Sequence, residues 1–574
     1  MTKVRRAEAI SPRIWDAVTL LVLGFSGVYL FSRINSINPA ILGDEYLYSM
    51  NSRQTEFWGT LPTGDFSNYL FNFVYSSTNI CGDNFYSCTK GLNVLFFLGF
   101  CVVLYWTGIK FLPRWLSGLF AISASLSPLS IYTSLFLPES MYFFLMAIVF
   151  ALVLEALLTY KWQFWVAAGM AIGLASISKP HAWLSAVAIV ITALIVGISK
   201  SDVGLRRTIV SVSLWLSSAV LTRTISGFLL AGPQSLGLFG QYISSDSIRP
   251  LQEVALGGVF EASPEGLVGA GELQGALGLF WSQLEINGYA IVALMGLSIV
   301  GIAVGVIRES QLREGSIVGL ASLLSLIWLV TILIEIVLFT GWVTGGGDDH
   351  TLRVLMRYYD FLLPILPLIA AGVFYRRFAE SLQVYWRWGL GLLVAAISSS
   401  AFSGFFGNLQ IQIADAPWLA GLVVNSFIYE SASIALVISL LVFAAFPRFI
   451  LVPFIALSVF LSVGTGFQIQ DQYRNFRAID TPEDIAGLYL QENFSSSDLE
   501  VSVVLAPSRF EATNVTFWAD SPVLRYEIVT QGQAPLWAAP ADVDFVIVLD
   551  NLQIQGDYRT RFEGDGFTVL EKNE

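Results

Sequence analysis

Charge is scarce in this sequence. Charged side chains make up 13% of its 574 residues, while hydrophobic residues reach 55% and fall into repeated apolar runs. A water-soluble protein is excluded on that ground, because runs of this kind match the roughly 20 helical residues that cross a hydrocarbon layer. The chain reads as a polytopic α-helical membrane protein. No basic patch interleaved with aromatics is present, which argues against nucleic-acid binding, and no repeat of solenoid type is visible. Histidine is nearly missing, with His181 and His350 alone, and there are three cysteines. Cys101 lies within an apolar run. Cys81 and Cys88 flank a short polar hairpin, where an oxidising exterior would permit a disulfide and two free thiols are the alternative.

The net charge of −12 is unevenly placed. From Asp471 onward there are 18 acidic against 7 basic side chains, so the preceding 470 residues are nearly neutral and the acidity belongs to a soluble tail. The runs predict about thirteen transmembrane helices, near 15–32, 91–109, 115–136, 140–158, 162–178, 182–199, 208–230, 287–307, 316–340, 357–375, 388–406, 426–445 and 449–467. A cytoplasmic N-terminus (Lys3, Arg5, Arg6, Arg13) puts Lys110 with Arg114, Lys161, Lys200 with Arg206 and Arg207, Arg308 with Arg313, Arg376 with Arg377, and Arg448 on the same side. That is the positive-inside pattern. It leaves the segments 33–90, 137–139, 179–181, 231–286, 341–356 and 407–425, and the tail, outside. The first run follows a basic stretch as a signal peptide would, but no small-residue cleavage site follows it and further spans do, so a retained anchor is expected.

Two domains are expected, residues 1–470 in the membrane with their outer loops and 471–574 as a small extracytoplasmic α/β domain. Thr481-Pro-Glu-Asp combines an N-cap, a first-turn proline and two acids suited to a helix start. Val501–Leu505, Val523–Val529 and Val543–Leu549 read as strands. The tail has no histidine, cysteine or glycine-rich phosphate loop, which points to binding or stabilisation there and not to catalysis. In the first outer loop Glu45–Trp58 and Phe66–Tyr75 suit short interfacial helices. The glycine-rich loop 231–286 could close over a bound lipid.

Acids, bases and cations gather on one face of the membrane. Asp44 and Glu45 follow the first span, Glu139 sits in Leu-Pro-Glu-Ser, Lys179 and His181 in Ser-Lys-Pro-His, and Asp348, Asp349, His350 and Arg353 in Gly-Gly-Gly-Asp-Asp-His-Thr-Leu-Arg. Arg223 and Glu335 are charges inside the outer halves of spans. A transporter would place polar groups nearer the midplane, with broken helices in paired halves. Each residue also has a structural reading. Asp44 and Glu45 could cap an interfacial helix, Glu139 could open the fourth span, Lys179, Arg357 and Arg223 could anchor helix ends by snorkelling, and the histidines could be surface residues.

Asp44-Glu45 after the first span, Pro138-Glu139, Ala168-Gly-Met-Ala-Ile-Gly-Leu-Ala-Ser-Ile-Ser-Lys-Pro180 and Arg357-Tyr-Tyr-Asp-Phe-Leu-Leu-Pro364 together resemble the GT-C superfamily of membrane glycosyltransferases. The likeness is to the bacterial branch related to protein O-mannosyltransferases and the lipid A aminoarabinose transferase, and it covers roughly residues 15–375. It implies a polyprenyl-phosphate sugar donor, an extracytoplasmic site and inversion at the anomeric carbon, without naming the sugar. On that pattern Asp44 would be the catalytic base, with Glu45 the second candidate. Lys179, His181, Arg353 and Arg357 would meet the donor phosphate, Arg223 would reach it from within the bilayer, and Tyr358 would add a hydrogen bond. Glu139 and His350 are additional site candidates. A divalent ion held by Asp44, Glu139 and a histidine is an alternative that the spacing does not decide. The expected protein is a plasma (inner) membrane enzyme that glycosylates a cell-envelope glycan or lipid-linked acceptor. A polymerase or ligase of oligosaccharides, and a transporter or flippase of a lipid-linked saccharide, are the alternatives.

Overall fold

In the computed structural model the described residues are 11–34, 44–55, 68–199, 203–236, 270–312, 316–343, 354–409, 411–477, 481–521, 523–529, 537–538, 540, 542–550, 552 and 554–573. The first part is helical: α1 (Pro12–Ile34), α2 (Asp44–Gln54), α3 (Tyr69–Ser76), α4 (Phe85–Gly108), α5 (Arg114–Ser125), α6 (Glu139–Thr159), α7 (Trp162–Ser178), α8 (Ser185–Ser199) and α9 (Gly204–Ala231). Further long helices follow at Ala270–Leu312, Ile317–Val343, Val384–Phe402 and Ser426–Ala445, and the apolar stretch Leu451–Asn475 is helical throughout. Among the described residues ten helices are long and apolar enough to cross a membrane, and the stretches Trp162–Ser178 and Asp360–Tyr375 are shorter apolar helices. The protein is a multi-pass membrane protein.

One expected span takes a different form. The apolar run at 115–136 is helical only over Arg114–Ser125, and Pro128 then opens a 3₁₀ turn over Pro128–Thr133. Proline cannot donate the next helical hydrogen bond, so the run breaks there. The outer-loop helices overlap the expected segments, α2 (Asp44–Gln54) starting one residue before Glu45–Trp58 and α3 (Tyr69–Ser76) ending one residue after Phe66–Tyr75, and Cys81 is disulfide-bonded to Cys88.

Small residues let the central helices approach closely. A Cβ at Gly169 would lie 2.3 Å from the Trp215 carbonyl oxygen, and one at Gly173 2.6 Å from that of Ala219, so the glycine pair on α7 seats α9 backbone against backbone. Small-residue pairs four apart serve this purpose in bilayers, where no hydrophobic force draws helices together. Elsewhere the surface stays apolar: Leu21, Phe25 and Val28 of α1 and Leu221, Ile225 and Leu229 of α9 are exposed, as lipid-facing side chains should be.

The C-terminal part is a five-stranded sheet of order β2-β1-β4-β7-β6, formed by β1 (Ser502–Ala506), β2 (Arg525–Ile528), β4 (Phe545–Leu549), β6 (Tyr558–Gly564) and β7 (Phe567–Lys572). β2, β1 and β4 are parallel, while β4, β7 and β6 are antiparallel. A small parallel pair, β3 (Trp537–Ala538) and β5 (Ile554–Gln555), forms a second sheet whose Trp537 and Ile554 pack against Val503, Leu505, Val546 and Val548 of the first. Helices Pro482–Asn493 and Arg509–Ala519 bury Ala486, Leu490, Ala512 and Val515 against Val504, Ala506 and Ile547. β1 and β4 are buried on both faces, which explains their unbroken apolar sequences. The helix at Pro482 starts with a capping box between Thr481 and Asp484.

Candidate functional site

α2 opens with the acidic pair. Its helical start places both carboxyl-bearing residues at the positive end of a helix dipole, a favourable position for anions. Of Asp44 only the backbone is described. The Glu45 side chain is buried, and its Oε1 accepts a hydrogen bond from the Phe136 backbone N–H at 2.6 Å. Lys90 on α4, whose Nζ donates to the Ile34 carbonyl at 2.8 Å, is within electrostatic reach of Glu45. Glu45 thus fixes the chain that leads, three residues later, to Glu139. Burial raises the Tyr46 phenol above its ordinary value, against a hydrogen bond with Thr516 that pulls it down. Burial and then the Glu139 charge raise the phenol of Tyr75 on α3 well above its own.

Glu139 is the first residue of α6 and Lys179 the last-turn cap of α7, so two antiparallel helices bring them together. Lys179 Nζ donates to Glu139 Oε1 at 2.7 Å, with 6% and 2% of the side chains exposed. The ammonium also lies 5.2 Å from the Tyr358 ring centre and 5.5 Å from that of Tyr142. The His181 ring packs on Tyr358 with centres 4.5 Å apart. Arg357 completes the group: its backbone N–H donates to the Asp415 carbonyl at 2.8 Å, its Nε is 3.4 Å from Asp415 Oδ1, and its guanidinium carbon is 5.5 Å from the Tyr358 ring centre. The Tyr132 hydroxyl ties this wall together, lying 2.9 Å from both Asp360 Oδ2 and the Ala414 carbonyl oxygen.

The buried Lys179, His181 and Tyr358 are therefore gathered in one cluster with the half-buried Arg357. Glu139 joins them as the partner of Lys179. Arg223 is buried on α9 and donates to the Ser235 carbonyl at 3.3 Å, beside the start of α3, and its described hydrogen bond does not draw it into the Lys179 cluster. His350 and Arg353, with Asp348 and Asp349, lie outside the described residues, as does most of the loop 231–286. Among the described residues no group of three or more His, Cys, Asp and Glu is placed to hold a metal ion.

Three members were missed from sequence. Asp415 is the sole charged residue in 407–425, and a lone acid in an otherwise uncharged loop was its signal. Asp360 stood inside the quoted Arg357–Pro364 motif without a role, and Tyr132 lay in a run read as a span. Glu139 Oε2 and Asp360 Oδ1 are both buried with no hydrogen-bond partner among the described residues. Lys179 and Arg357 are the cations here that could meet an anion, each held by a neighbouring carboxylate.

No protein-family model matches the chain, and no curated protein sequence does. Solved structures do match. The likeness to ArnT from Cupriavidus metallidurans, solved bound to undecaprenyl phosphate, has a TM-score of 0.50 at 13% identity over 97% of each chain. The Archaeoglobus fulgidus oligosaccharyltransferase tethered to an acceptor peptide gives 0.48 at 12%, over 92% of this chain and 69% of that one. Arabinosyltransferase EmbB from Mycobacterium smegmatis gives 0.42 at 12%, over 83% and 44%. The chain shares the fold of that ArnT structure.

Proposed function

We propose that the protein is a GT-C-type glycosyltransferase that moves one sugar from a polyprenyl-phosphate carrier to a hydroxyl of a glycan or lipid-linked acceptor, on the extracytoplasmic side of the plasma (inner) membrane. The observation that carries this reading is the cluster of the buried Lys179, His181 and Tyr358 with the half-buried Arg357 at the α2 end of the bundle. It stands in a fold shared with ArnT, which was solved with undecaprenyl phosphate bound. The sidedness is supported by the basic residues of the other end, where Lys110 pairs with Glu155 and Arg114 with Asp16, remote from α2.

In this mechanism the acceptor oxygen attacks the anomeric carbon and forms the new glycosidic bond. The bond from that carbon to the phosphate oxygen breaks, and its electron pair leaves with the lipid phosphate. Attack from the face opposite the phosphate inverts the centre. The acceptor proton passes to Asp44. Glu45 is the weaker candidate because its carboxylate already holds the Phe136 N–H. Such a base contributes about 10²–10⁴ in rate. Charge developing on the departing phosphate is met by Lys179 and Arg357, held in place by Glu139 and Asp415, so that little reorganisation is needed at the moment of transfer. An arginine fork suits phosphate oxygens in particular. The acceptor would approach beside α2, where a cavity of about 340 Å³ lies between Tyr46 and the β2 edge at Arg525, Tyr526 and Glu527. That volume is within the range of small-ligand sites.

The test is turnover by the purified protein against a panel of polyprenyl-phosphate sugars. Release of polyprenyl phosphate with a glycosylated acceptor is expected. Movement of a lipid-linked saccharide across a vesicle membrane without any bond broken would overturn the reading in favour of a flippase.

A further inference from the structure

α2 carries the acidic pair and is 11 residues long, with Tyr46, Tyr48 and Met50 buried along it and the Tyr48 ring packed on Phe71 of α3. Its far end is gripped by the C-terminal domain. Arg53, in the last turn of α2, makes an ion pair through Nη2 with Asp520 Oδ2, and the two side chains are 14% and 30% exposed. The Arg53 guanidinium also lies over the Phe85 ring at 3.7 Å, and its backbone carbonyl accepts from Asn79 Nδ2 at 2.7 Å. Phe517, three residues before Asp520, packs on both Phe85 and Tyr86, with ring centres 5.9 and 5.7 Å away. The Tyr86 hydroxyl in turn donates to the Ser134 carbonyl at 2.9 Å, in the segment whose Phe136 N–H holds Glu45.

Asp520 sits there against local preference. It caps the C-terminus of helix Arg509–Ala519 in the left-handed conformation, φ 52° and ψ 39°, where glycine is the usual residue. It also sets a carboxylate at the negative end of a helix dipole. Both features cost stability inside the C-terminal domain, and what they gain is the contact to Arg53. Violations of local rules at a point of contact between two units mark a functional constraint.

We propose that Arg53 and Asp520 form a latch through which the C-terminal domain positions α2, and with it the Asp44-Glu45 pair, over the phosphate-binding cluster. Arg53 is thus a positioning residue for the proposed transfer, and this assignment rests on that functional reading. The aromatic contacts of Phe517 set the domain down, and the ion pair fixes the end of α2.

The experiment uses the full chain in nanodiscs and compares Arg53→Met, Arg53→Lys and Asp520→Asn with the parent. Asparagine tolerates the left-handed conformation, so Asp520→Asn removes the charge without unfolding the cap. Amide exchange across α2 should speed up about tenfold in Arg53→Met and Asp520→Asn, with α6 unchanged, and Arg53→Lys should restore most of the protection. In the transfer assay kcat should fall in the first two variants while binding of undecaprenyl phosphate is unchanged. Unaltered α2 exchange in both would overturn the latch. Looser α2 with normal kcat would overturn its positioning role. Failure of the functional reading shows separately, as movement of a lipid-linked saccharide by the parent with no bond broken, and would leave the exchange result standing.

Discussion

The buried ion pair of the membrane bundle and the ion pairs of the C-terminal domain look alike on paper and differ in what they do. Lys179 and Glu139 are 6% and 2% exposed, whereas Arg525 and Asp542 are 42% and 67% exposed, at the nearly equal separations of 2.7 and 2.8 Å. Distance does not distinguish them; water does. An exposed pair is screened and contributes little. A buried pair has lost its hydration, so its mutual attraction is strong only because the cost of burial has already been met, and removing one partner strands the other. The bundle therefore keeps charge where an apolar pair would pack as well or better, which is the physical reason to read Lys179 and Glu139 as kept for chemistry.

The sharpest way to break that comparison is to unpair the buried site. Lys179→Met alone should destabilise the bundle by about 3–5 kcal/mol, seen as a lower melting temperature in detergent. Adding Glu139→Gln should recover most of that loss, because no uncompensated charge remains. Undecaprenyl-phosphate binding, in contrast, should not return in the double variant if the ammonium meets the donor phosphate. Full recovery of binding together with stability would make the pair structural. Arg525→Met is the control and should leave melting unchanged.

The two regions share a packing device, since the bundle seats α7 on α9 at Gly169 and Gly173 and the domain seats helix Pro482–Asn493 on helix Arg509–Ala519 at Gly487, where a Cβ would lie 2.6 Å from the Val515 carbonyl oxygen. Gly173→Val places a Cβ 2.6 Å from the Ala219 carbonyl oxygen, an approach with no flexible atom to yield. The expected loss is about 1–3 kcal/mol, read by thermal melting of the full chain. Normal melting would show that α9 can move away from α7 freely.

These two sites also show what the sequence could and could not disclose. Ten of the spans were legible because run length alone decides whether a helix can cross a bilayer, whereas the run at 115–136 turned on Pro128, whose effect on helix geometry outranks hydropathy, and the runs at 162–178 and 357–375 form only shorter apolar helices. The motif Ala168–Pro180 carried the resemblance, yet Gly169 and Gly173 within it serve helix packing, and only Lys179 at its end reaches the site. Lys179 could not be paired with Glu139 beforehand because the partners are 40 residues apart on different helices. Asp415 escaped for a related reason: its meeting with Arg357 depends on a loop between later helices, beyond the segment that resembled a family. In the tail the apolar strands β1 and β4 could be read from sequence, whereas the largely exposed strand β6 carries no such signal.

The smallest expected effect lies at the most exposed end of the comparison. Ser495 caps the short helix Ser496–Glu500, and its side-chain oxygen accepts from the Asp498 N–H at 3.3 Å while Asp498 Oδ2 accepts from the Ser495 hydroxyl at 2.7 Å and backbone N–H at 2.9 Å. The Ser495 hydroxyl, then its backbone N–H, hold the Asp498 carboxyl below its ordinary value of 3.8. A carboxyl whose folded value is depressed contributes stability above its unfolded value and loses that contribution as pH falls through the folded one. The capping box should thus be intact at neutral pH and weaken progressively below about pH 4. Ser495→Ala should cost about 0.5–1 kcal/mol at pH 7, seen as faster amide exchange over Ser496–Glu500 in the full chain, and the difference from the parent should shrink toward acid pH. A difference that stayed constant to pH 2 would mean that Ser495 acts there through its hydroxyl contact to the backbone alone, with no contribution from the Asp498 charge.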